Sequence, residues 1–306
     1  MKNHIISTLQ LEDKNLLFNL FEKAKSFHQQ DFNNNITKTC KDKILGSLFY
    51  EPSTRTRMSF ESAMIKLWGN VITTENATAF SSTTKWETLE DTIKILWSYT
   101  DIIVLRHYEE GSADRASKVS EKPVINAWDG IWDHPTQALL DIYTIWEKFK
   151  DINNKKITLI GDLINWRTIH SLIRLLSLFD LKVNLVSPEE LKLPEKYKNI
   201  LKEKWIQYQE YETFENIISE TDVFYVTRVQ KERFSSFEKY EKLKNYYIIN
   251  QNDVDRMKQN SIIMHPLPRT TELPVEIDST NQAVYFQQAK NWLYTRMALL
   301  DYLLNN

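Results

Sequence analysis

Short apolar runs alternate with amphipathic segments along most of the chain. Eight runs are short and rich in β-branched residues, which is typical of buried parallel strands. They span residues 44–50, 71–74, 102–105, 124–126, 157–160, 183–186, 223–226 and 262–264. Segments between them repeat apolar residues with helical spacing, at 59–67, 87–99, 135–149, 168–179 and 236–246. The alternation predicts an α/β protein in which helices cover mostly parallel sheets.

The length of 306 residues suits one large domain or two domains of middle size. A polar stretch at residues 150–156 separates the first four predicted strands from the last four. Polar stretches of this kind often join domains, so we predict a hinge there.

Composition excludes several classes of function. The chain carries 39 basic and 41 acidic residues, so no overall field attracts nucleic acid or an anionic membrane. Cys40 is the only cysteine, which excludes an internal disulfide and a multi-thiolate metal site. The N-terminus has no long apolar segment, and no apolar run approaches membrane-spanning length. We therefore expect a soluble cytoplasmic protein.

Glycine is scarce in this chain and tryptophan is abundant. Average usage would give roughly 21 glycines in a chain of this length, whereas the sequence has 5 glycines and 9 tryptophans. An α/β protein uses glycine at turns where φ is positive, so the deficit calls for an explanation.

The segment Phe49–Arg57 carries the strongest chemical signal. Three hydroxyls and two guanidiniums follow a predicted strand and open a predicted helix. Hydroxyls and the free N–H groups of a first helical turn bind oxyanions, whereas the helix dipole disfavours cations there. We therefore expect a bound phosphate to balance Arg55 and Arg57. N-capping by Ser53 is the simpler alternative, and the lack of glycines and of a lysine separates the segment from a P-loop.

Polar residues also follow four other predicted strands. These residues are Arg106 with His107, residues 129–134, Arg228, and residues 265–269. In open α/β sheets the ligand crevice lies outside the carboxyl ends of the strands. Polar residues that merely solvate a loop would explain one such cluster, but they explain several clusters poorly. We therefore predict a binding site at the carboxyl ends of these strands.

The candidate site is rich in fixed cations, which are Arg55, Lys85, Arg106, Arg167 and Arg228. Guanidiniums form two-point contacts with carboxylate and phosphate, so the set suits a substrate pair with several negative charges. The sequence shows no metal-ligand spacing and no Ser-His-Asp or Cys-His set, so neither a metal nor a cofactor is expected. His134 could polarise a carbonyl oxygen or act as a structural cap. Holding two anions and stabilising an oxyanion is enough for acyl transfer from an activated phosphate.

Three motifs together resemble the aspartate and ornithine carbamoyltransferases. The motifs are Ser53–Arg57 (STRTR), His134–Gln137 (HPTQ) and His265–Arg269 (HPLPR), and the match is collinear from about Leu45 to Leu304. The segment Thr227–Phe234 and the late HPLPR motif are similar to the aspartate branch. Arg228 with Gln230 suits a substrate carboxylate, whereas an ornithine ammonium would favour an acid there. The resemblance implies transfer of a carbamoyl group from carbamoyl phosphate to the amine of L-aspartate in pyrimidine biosynthesis.

The resemblance also implies how carbamoyl phosphate is held. Its phosphate would contact Ser53, Thr54, Arg55 and Thr56. Its carbonyl oxygen, and the oxyanion formed from it, would contact Thr56, Arg106 and His134. Its amide would contact Gln137 and the backbone carbonyls of Pro266 and Leu267.

The aspartate side of the site follows from the same resemblance. The two substrate carboxylates would contact Arg167, Arg228 and Gln230. Ser81 and Lys85 would reach in from a neighbouring subunit, which implies an oligomer, expected to be a homotrimer with or without separate regulatory chains. A solvated basic turn is the alternative for the loop that holds Ser81 and Lys85.

The resemblance implies two doubly wound domains, each a mostly parallel sheet flanked by helices. Residues 1–149 would bind carbamoyl phosphate, together with a C-terminal helix, 288–306, that returns to this domain. Residues 150–287 would bind aspartate. A carbamoyltransferase for another amine and a catalytically silent scaffold homologue are the alternatives.

The tryptophans fall where members of this family carry glycine. These positions are Trp86, Trp128, Trp166 and Trp292, and glycine is also common at Trp68, Trp132 and Trp205. Tryptophan suits neither positive φ nor close backbone packing. Our hypothesis is that the source reads UGA as glycine; the alternative is a lineage whose turns have adapted to tryptophan.

Overall fold

The computed structural model describes residues 4–76, 87–130, 133–231 and 237–305. The chain divides into two compact units, Met1–Tyr143 with Lys290–Asn306, and Thr144–Ala289. One parallel sheet lies in each unit.

The sheet of the first unit has the strand order β2-β1-β3-β4. The strands are β1 (Ile44–Phe49), β2 (Asn70–Glu75), β3 (Ile102–His107) and β4 (Val124–Asp129). The accompanying helices are α1 (Lys14–Phe32), α2 (Thr54–Lys66), α3 (Leu89–Tyr99), α4 (Ser112–Val119) and α5 (Pro135–Phe149). The central strand β1 is buried after its first residue, whereas the edge strand β2 is largely exposed, as its position in the sheet requires.

The sheet of the second unit has the order β7-β6-β5-β8-β9. The strands are β5 (Lys156–Ile160), β6 (Lys182–Val186), β7 (Gln207–Tyr211), β8 (Val223–Val226) and β9 (Ile262–Met264). The helices are α6 (Arg167–Leu176), α7 (Glu195–Glu203), α8 (Phe237–Leu243), α9 (Gln251–Arg256) and α10 (Tyr285–Asn305). The unit boundaries fall inside α5 and α10, so both helices contribute residues to both units.

The predicted fold class is confirmed, and each of the eight predicted strands is present. The strand β7 was not predicted, because its sequence, QYQEY, is polar and the strand lies exposed at a sheet edge. Four helices, α1, α4, α7 and α9, were also not predicted. The start of the predicted helix 236–246 lies outside the described residues. None of the described helices is long and apolar enough to cross a membrane.

The helix α10 places a guanidinium inside the first unit. Arg296 is 1% exposed, and its Nη1 donates to the carbonyl oxygen of Thr56 at 3.0 Å and to the Ser59 hydroxyl. The guanidinium lies 4.3 Å from the centre of the Phe60 ring. No carboxylate in the described parts of the chain pairs with it, and burial lowers the pKa of Arg296 to about 9. The side chain thus ties α10 to α2 and places an unbalanced positive charge beside the first turn of α2.

We expect Arg296→Met to keep the free energy of unfolding within about 1 kcal/mol of the parent, because it keeps the packing and removes an unpaired buried charge. Arg296→Ala should lower it by about 2–5 kcal/mol, since a cavity opens beside Phe60. Urea unfolding followed by fluorescence measures both variants. An equal loss in the two variants would show that hydrogen bonds of the guanidinium, rather than its volume, hold α10 to α2.

Candidate functional site

The turn between β1 and α2 offers a group of donors to a ligand. Ser53 is the N-cap of α2, yet its side chain makes no capping hydrogen bond. N-capping therefore does not explain this hydroxyl. Thr54 and Arg55 are exposed and Thr56 is buried, and first-turn N–H groups have no acceptor within a helix. The turn combines free N–H groups, hydroxyls and positive charge, which is the chemistry of an oxyanion site.

The two arginines of this turn have different surroundings. The Arg57 guanidinium lies 2.9 Å from a carboxylate oxygen of Glu75 and 3.5 Å from one of Glu61. A bound anion is therefore not needed to balance Arg57, which corrects the expectation for that residue. Arg55 has no carboxylate partner within the described ranges, and its guanidinium lies 5.5 Å from the Trp292 ring. Partial desolvation of this otherwise exposed side chain lowers the pKa of Arg55.

The end of β3 supplies a second cation to the same edge of the sheet. The Arg106 Nη2 atom lies 3.5 Å from a Glu51 carboxylate oxygen. Burial lowers the pKa of Arg106, and the charge of Glu51 opposes that shift. The guanidinium also lies 5.1 Å from the Trp128 ring. The Trp128 and His134 rings form a T-shaped pair with a centroid distance of 5.2 Å. Arg106, Trp128 and His134 are therefore neighbours at the carboxyl ends of β3 and β4.

A buried aspartate fixes the start of α5. One carboxylate oxygen of Asp133 accepts from the backbone N–H of His134 at 2.8 Å. The other accepts from the backbone N–H and the hydroxyl of Thr8, at 2.6 and 2.8 Å. Pro135 then occupies the first helical position, where its missing N–H costs nothing. The His134 imidazole is 4% exposed and is thereby held at a defined place.

Gln137 lies one turn further along α5 and is 3% exposed. Its Nε2 donates to Asp141 Oδ1 at 2.9 Å. This hydrogen bond sets which end of the side-chain amide faces Asp141. The amide oxygen of Gln137 is therefore directed to the other side, where it can accept from a ligand N–H.

In the second unit, Asp162 joins two loops at the carboxyl ends of neighbouring strands. It follows β5 and accepts from the backbone N–H of Asn165 at 3.0 Å and from that of Gln230 at 3.3 Å. Burial raises the pKa of Asp162. The strands β5 and β8 are paired and parallel, so Asp162 holds the Gln230 segment beside the start of α6.

This arrangement places two arginines at one edge of the second sheet. Arg167 is the first residue of α6 and is 8% exposed. Arg228 follows β8, and its carbonyl oxygen accepts from Trp166 Nε1 at 2.6 Å. The Arg228 guanidinium lies 5.8 Å from the ring of the same tryptophan. Arg167, Arg228 and Gln230 thus form a cationic and amide-bearing group suited to carboxylates.

The loop after β9 is fixed by a buried histidine. His265 Nδ1 accepts from the backbone N–H of Leu267 at 2.8 Å, so the proton is on Nε2, which donates to Glu272 at 2.9 Å. Burial lowers the pKa of His265, which keeps the imidazole neutral. Leu267 has a positive φ of 57°, and the bond to Pro268 is cis. The Pro266 and Leu267 carbonyls, expected to face a ligand, therefore belong to a closely held loop.

The structure thus groups the predicted residues by unit. In the first unit Ser53, Thr54, Arg55, Thr56, Arg106, His134 and Gln137 follow the carboxyl ends of β1, β3 and β4. In the second unit Arg167, Arg228, Gln230, Pro266 and Leu267 follow those of β5, β8 and β9. Ser81 and Lys85 lie outside the described residues. No group of His, Cys, Asp and Glu in the described ranges could hold a metal ion.

Sequence reasoning missed the acids that support these loops, Asp133, Asp162 and Glu272. A signal was available for Asp162, because Gly161 precedes it directly after β5. Gly161 has a φ of 115°, and a Cβ there would lie 2.2 Å from the carbonyl oxygen of Thr227. A glycine followed by an acid at a strand end indicates a close approach of two loops.

Comparison with known proteins fits this geometry. Residues 3–147 match the carbamoyl-P binding domain of aspartate/ornithine carbamoyltransferases, and residues 153–303 match their Asp/Orn binding domain. The chain belongs to the aspartate/ornithine carbamoyltransferase family. The resemblance drawn from the three motifs is therefore confirmed.

Individual members of the family are similar along their whole length. The aspartate carbamoyltransferase catalytic subunit of Picrophilus torridus is 48% identical over 301 residues, which cover 98% of this chain and 97% of that protein. The catalytic subunit of M. jannaschii aspartate transcarbamoylase superposes with a TM-score of 0.93 at 44% identity, covering 99% of this chain and 98% of the other. The Trypanosoma cruzi aspartate transcarbamoylase in complex with N-(phosphonacetyl)-L-aspartic acid gives a TM-score of 0.88 at 33% identity, covering 98% and 95%.

His107 lies next to Arg106 and gives the first unit a dependence on pH. Its Nδ1 accepts from the backbone N–H of Glu109 at 3.0 Å and lies 2.9 Å from the Ser112 hydroxyl. The ring stacks on Tyr108 at a centroid distance of 4.3 Å, and Tyr50 lies at the same centroid distance with its ring plane tilted by 60°. Burial lowers the pKa of His107 from 6.5 to about 4. The folded protein therefore keeps this imidazole neutral at pH values where the unfolded chain protonates it.

We expect the parent to lose about 2 kcal/mol of unfolding free energy through His107 between about pH 7.5 and pH 5, since the unfolded state binds the extra proton in that window. His107→Asn keeps an acceptor near Glu109 and Ser112 and cannot titrate, so its stability should fall less over the same range. Urea unfolding at several pH values measures the difference. For each protein, the change in unfolding free energy is taken relative to its own value near pH 7.5. Equal changes in the two proteins between pH 7.5 and pH 5 would contradict the prediction.

Proposed function

We propose that the chain transfers the carbamoyl group of carbamoyl phosphate to the amine of L-aspartate, giving N-carbamoyl-L-aspartate and phosphate for pyrimidine synthesis. The observation that carries the proposal is the first turn of α2, where donor groups and Arg55 lack a carboxylate partner within the described ranges. Residues 1–149 with 288–306 bind carbamoyl phosphate in this proposal, and residues 150–287 bind aspartate.

Carbamoyl phosphate binds with its phosphate group at the N-terminus of α2. The hydroxyls of Ser53, Thr54 and Thr56, the first-turn N–H groups and Arg55 hold the phosphate. Arg106 and His134 donate to the carbonyl oxygen, where negative charge grows as the tetrahedral intermediate forms. Gln137 accepts from the carbamoyl amide, as do the Pro266 and Leu267 carbonyls.

Aspartate binds through its two carboxylates to Arg167, Arg228 and Gln230. Its neutral amine attacks the carbonyl carbon, a C–N bond forms, and the bond from carbon to the phosphate oxygen breaks. The leaving phosphate takes the proton that the amine loses, because none of the residues placed at the site is an evident general base. If His134→Ala removed the fall in rate at low pH, which protonation of a general base would cause, rather than only lowering the rate, this proton path would be wrong.

Aspartate specificity is tested by supplying carbamoyl phosphate with aspartate, ornithine or N-acetylornithine. We expect turnover with aspartate alone, and Arg228→Ala should raise the KM for aspartate at least about tenfold, because a desolvated charge pair is lost. Arg256→Ala is the matched control, since Arg256 is an exposed arginine of the same unit that donates to the Glu215 carbonyl. Transfer to ornithine would support the alternative acceptor, and no transfer with any amine would support the silent homologue.

We also propose that this enzyme is a cytoplasmic homotrimer in which Ser81 and Lys85 of one subunit complete the site of the next. Lys85→Ala and Arg55→Ala should each have little activity. Mixed trimers of the two variants should regain activity, because some interfaces then pair an intact Lys85 with an intact Arg55. Dissociation, mixing and reassociation, followed by sedimentation and assay, measure this. A mixture as inactive as its components would exclude a shared site.

A further inference from the structure

Three tryptophans have backbone conformations that favour glycine. The φ angle is 69° at Trp68, 60° at Trp205 and 122° at Trp128. A residue with a Cβ atom is disfavoured there, because the Cβ atom crowds the following carbonyl oxygen. Nine described residues other than glycine have positive φ; four are asparagine or aspartate, which tolerate it, and three are tryptophan. Tryptophan contributes only 9 of the 306 residues, so it is strongly enriched at these angles.

Trp68 ends α2 at the position that glycine normally takes. Its N–H donates to the Ile65 carbonyl at 2.9 Å, and the N–H of Gly69 donates to the Met64 carbonyl at 2.9 Å. This pair of hydrogen bonds defines the Schellman motif, in which the residue after the C-cap is left-handed and is usually glycine. Residue 68 is that residue.

Trp205 ends α7 in the same way. Its N–H donates to the Lys202 carbonyl at 3.1 Å, and the N–H of Ile206 donates to the Leu201 carbonyl at 2.9 Å. Ile206 and Leu201 are both buried, as expected for the apolar contact that accompanies a Schellman motif. The indole of Trp205 is 91% exposed. Its packing therefore does not offset the cost of its backbone conformation.

Trp128 lies in a bulge of β4. Leu105 pairs with Asn126 and His107 pairs with Asp129, so β4 advances three residues while β3 advances two. Trp128 therefore lies where β4 has one residue more than β3, and its φ is positive. Glycine adopts positive φ at no steric cost, and an isolated glycine in a strand often marks such an irregularity. A φ of 122° also lies well beyond the left-handed helical range near 57°, where asparagine is tolerated.

We propose that residues 68, 128 and 205 are glycine in the protein as its own cell makes it, and that their codons are UGA triplets translated as glycine. Two helix ends and one irregular strand position then have the residue that their backbone conformation favours. At these three positions the inference rests on the positive φ angles and on the backbone hydrogen bonds or strand register described above. Trp166 caps α6 with a φ of −79° and Trp292 lies inside α10, so neither position requires glycine. Trp86 and Trp132 lie outside the described residues.

Glycine at position 128 also changes the candidate site, a consequence that rests on the proposed function. The Trp128 indole lies against both Arg106 and His134. Its removal opens space beside both groups, where the carbonyl oxygen of carbamoyl phosphate would bind. We therefore expect the chain with glycine at 128 to be the more active form.

The gene and the native protein test the proposal without any assay of activity. The codons for 68, 128 and 205 should all be UGA. Trypsin releases these positions in peptides 67–85, 119–148 and 205–228, and fragment sequencing of protein from its own source should show glycine at each. The same peptides from a host that inserts tryptophan provide the reference masses. A UGG codon, or a tryptophan mass, at any of the three positions would overturn the proposal.

Variants of the tryptophan-containing chain test the backbone argument. Trp205→Gly should raise the Tm by roughly 2–4 °C above that of Trp205→Ala, because only glycine relieves the left-handed turn. Trp146→Gly is the control: this tryptophan is buried within the helix α5, so its loss should lower the Tm. Equal Tm values for Trp205→Gly and Trp205→Ala would contradict the argument.

The consequence for the site has a readout of its own. Trp128→Gly should raise kcat for carbamoyl transfer to aspartate by roughly tenfold, whereas Trp205→Gly should leave kcat unchanged. If the codons and masses show glycine and kcat still does not rise, the proposed placement of Arg106 and His134 at the reacting carbonyl is wrong. The glycine assignment itself would then stand on the mass data.

Discussion

Positive charge at the first turn of α2 is the constraint on which the candidate site depends. The helix dipole is positive at this end, Arg55 lies in the turn, and the buried Arg296 guanidinium donates to the Thr56 carbonyl beneath it. Only Arg57 among the turn's arginines is balanced, by Glu75 and Glu61. The fold tolerates this imbalance because hydrogen bonds and aromatic rings hold the cations in place. A dianion that binds the turn would then gain from charges whose positions are already fixed, which is the physical basis of preorganised binding.

The acids near the site serve the scaffold rather than the ligand. Asp133 fixes the start of α5, Asp162 joins the loops after β5 and β8, and Glu272 accepts from His265. Each carboxylate is buried and accepts hydrogen bonds from the protein. Negative charge is therefore used to hold loops together, and the arginines at the strand ends can serve anionic ligands. This division suits a reaction between two anions that needs positioning and oxyanion stabilisation rather than a nucleophilic side chain.

The sequence predicted the secondary-structure elements whose buried residues form a regular apolar pattern along the chain. The buried strands were predicted because they are continuously apolar, and the edge strand β2 was predicted because it contains Val71 and Ile72. The edge strand β7 was missed because its sequence, QYQEY, has no apolar run. The cations of the site could be predicted, since motifs and strand ends mark them. Several of their supporting contacts could not, because they join residues far apart in the chain. Arg57 pairs with Glu75, Asp162 accepts from Gln230 and Arg296 donates to Thr56. Such pairings depend on tertiary structure that no local pattern encodes.

At the tryptophans with positive φ, the side chain does not suit the backbone conformation that the neighbouring residues specify. Around position 205 the chain has what a glycine-terminated helix needs. Lys202 lies in the last turn, which suits the helix dipole, and Leu201 and Ile206 are buried apolar residues joined by a backbone hydrogen bond. Only the residue at the left-handed position disagrees. If the turn had adapted to tryptophan, the neighbouring hydrogen bonds should have changed with it, for example by extending the helix or opening the turn. The hydrogen bonds at 68 and at 205 instead follow the same glycine pattern. The neighbouring residues therefore specify a turn for which tryptophan is the wrong side chain and glycine the fitting one.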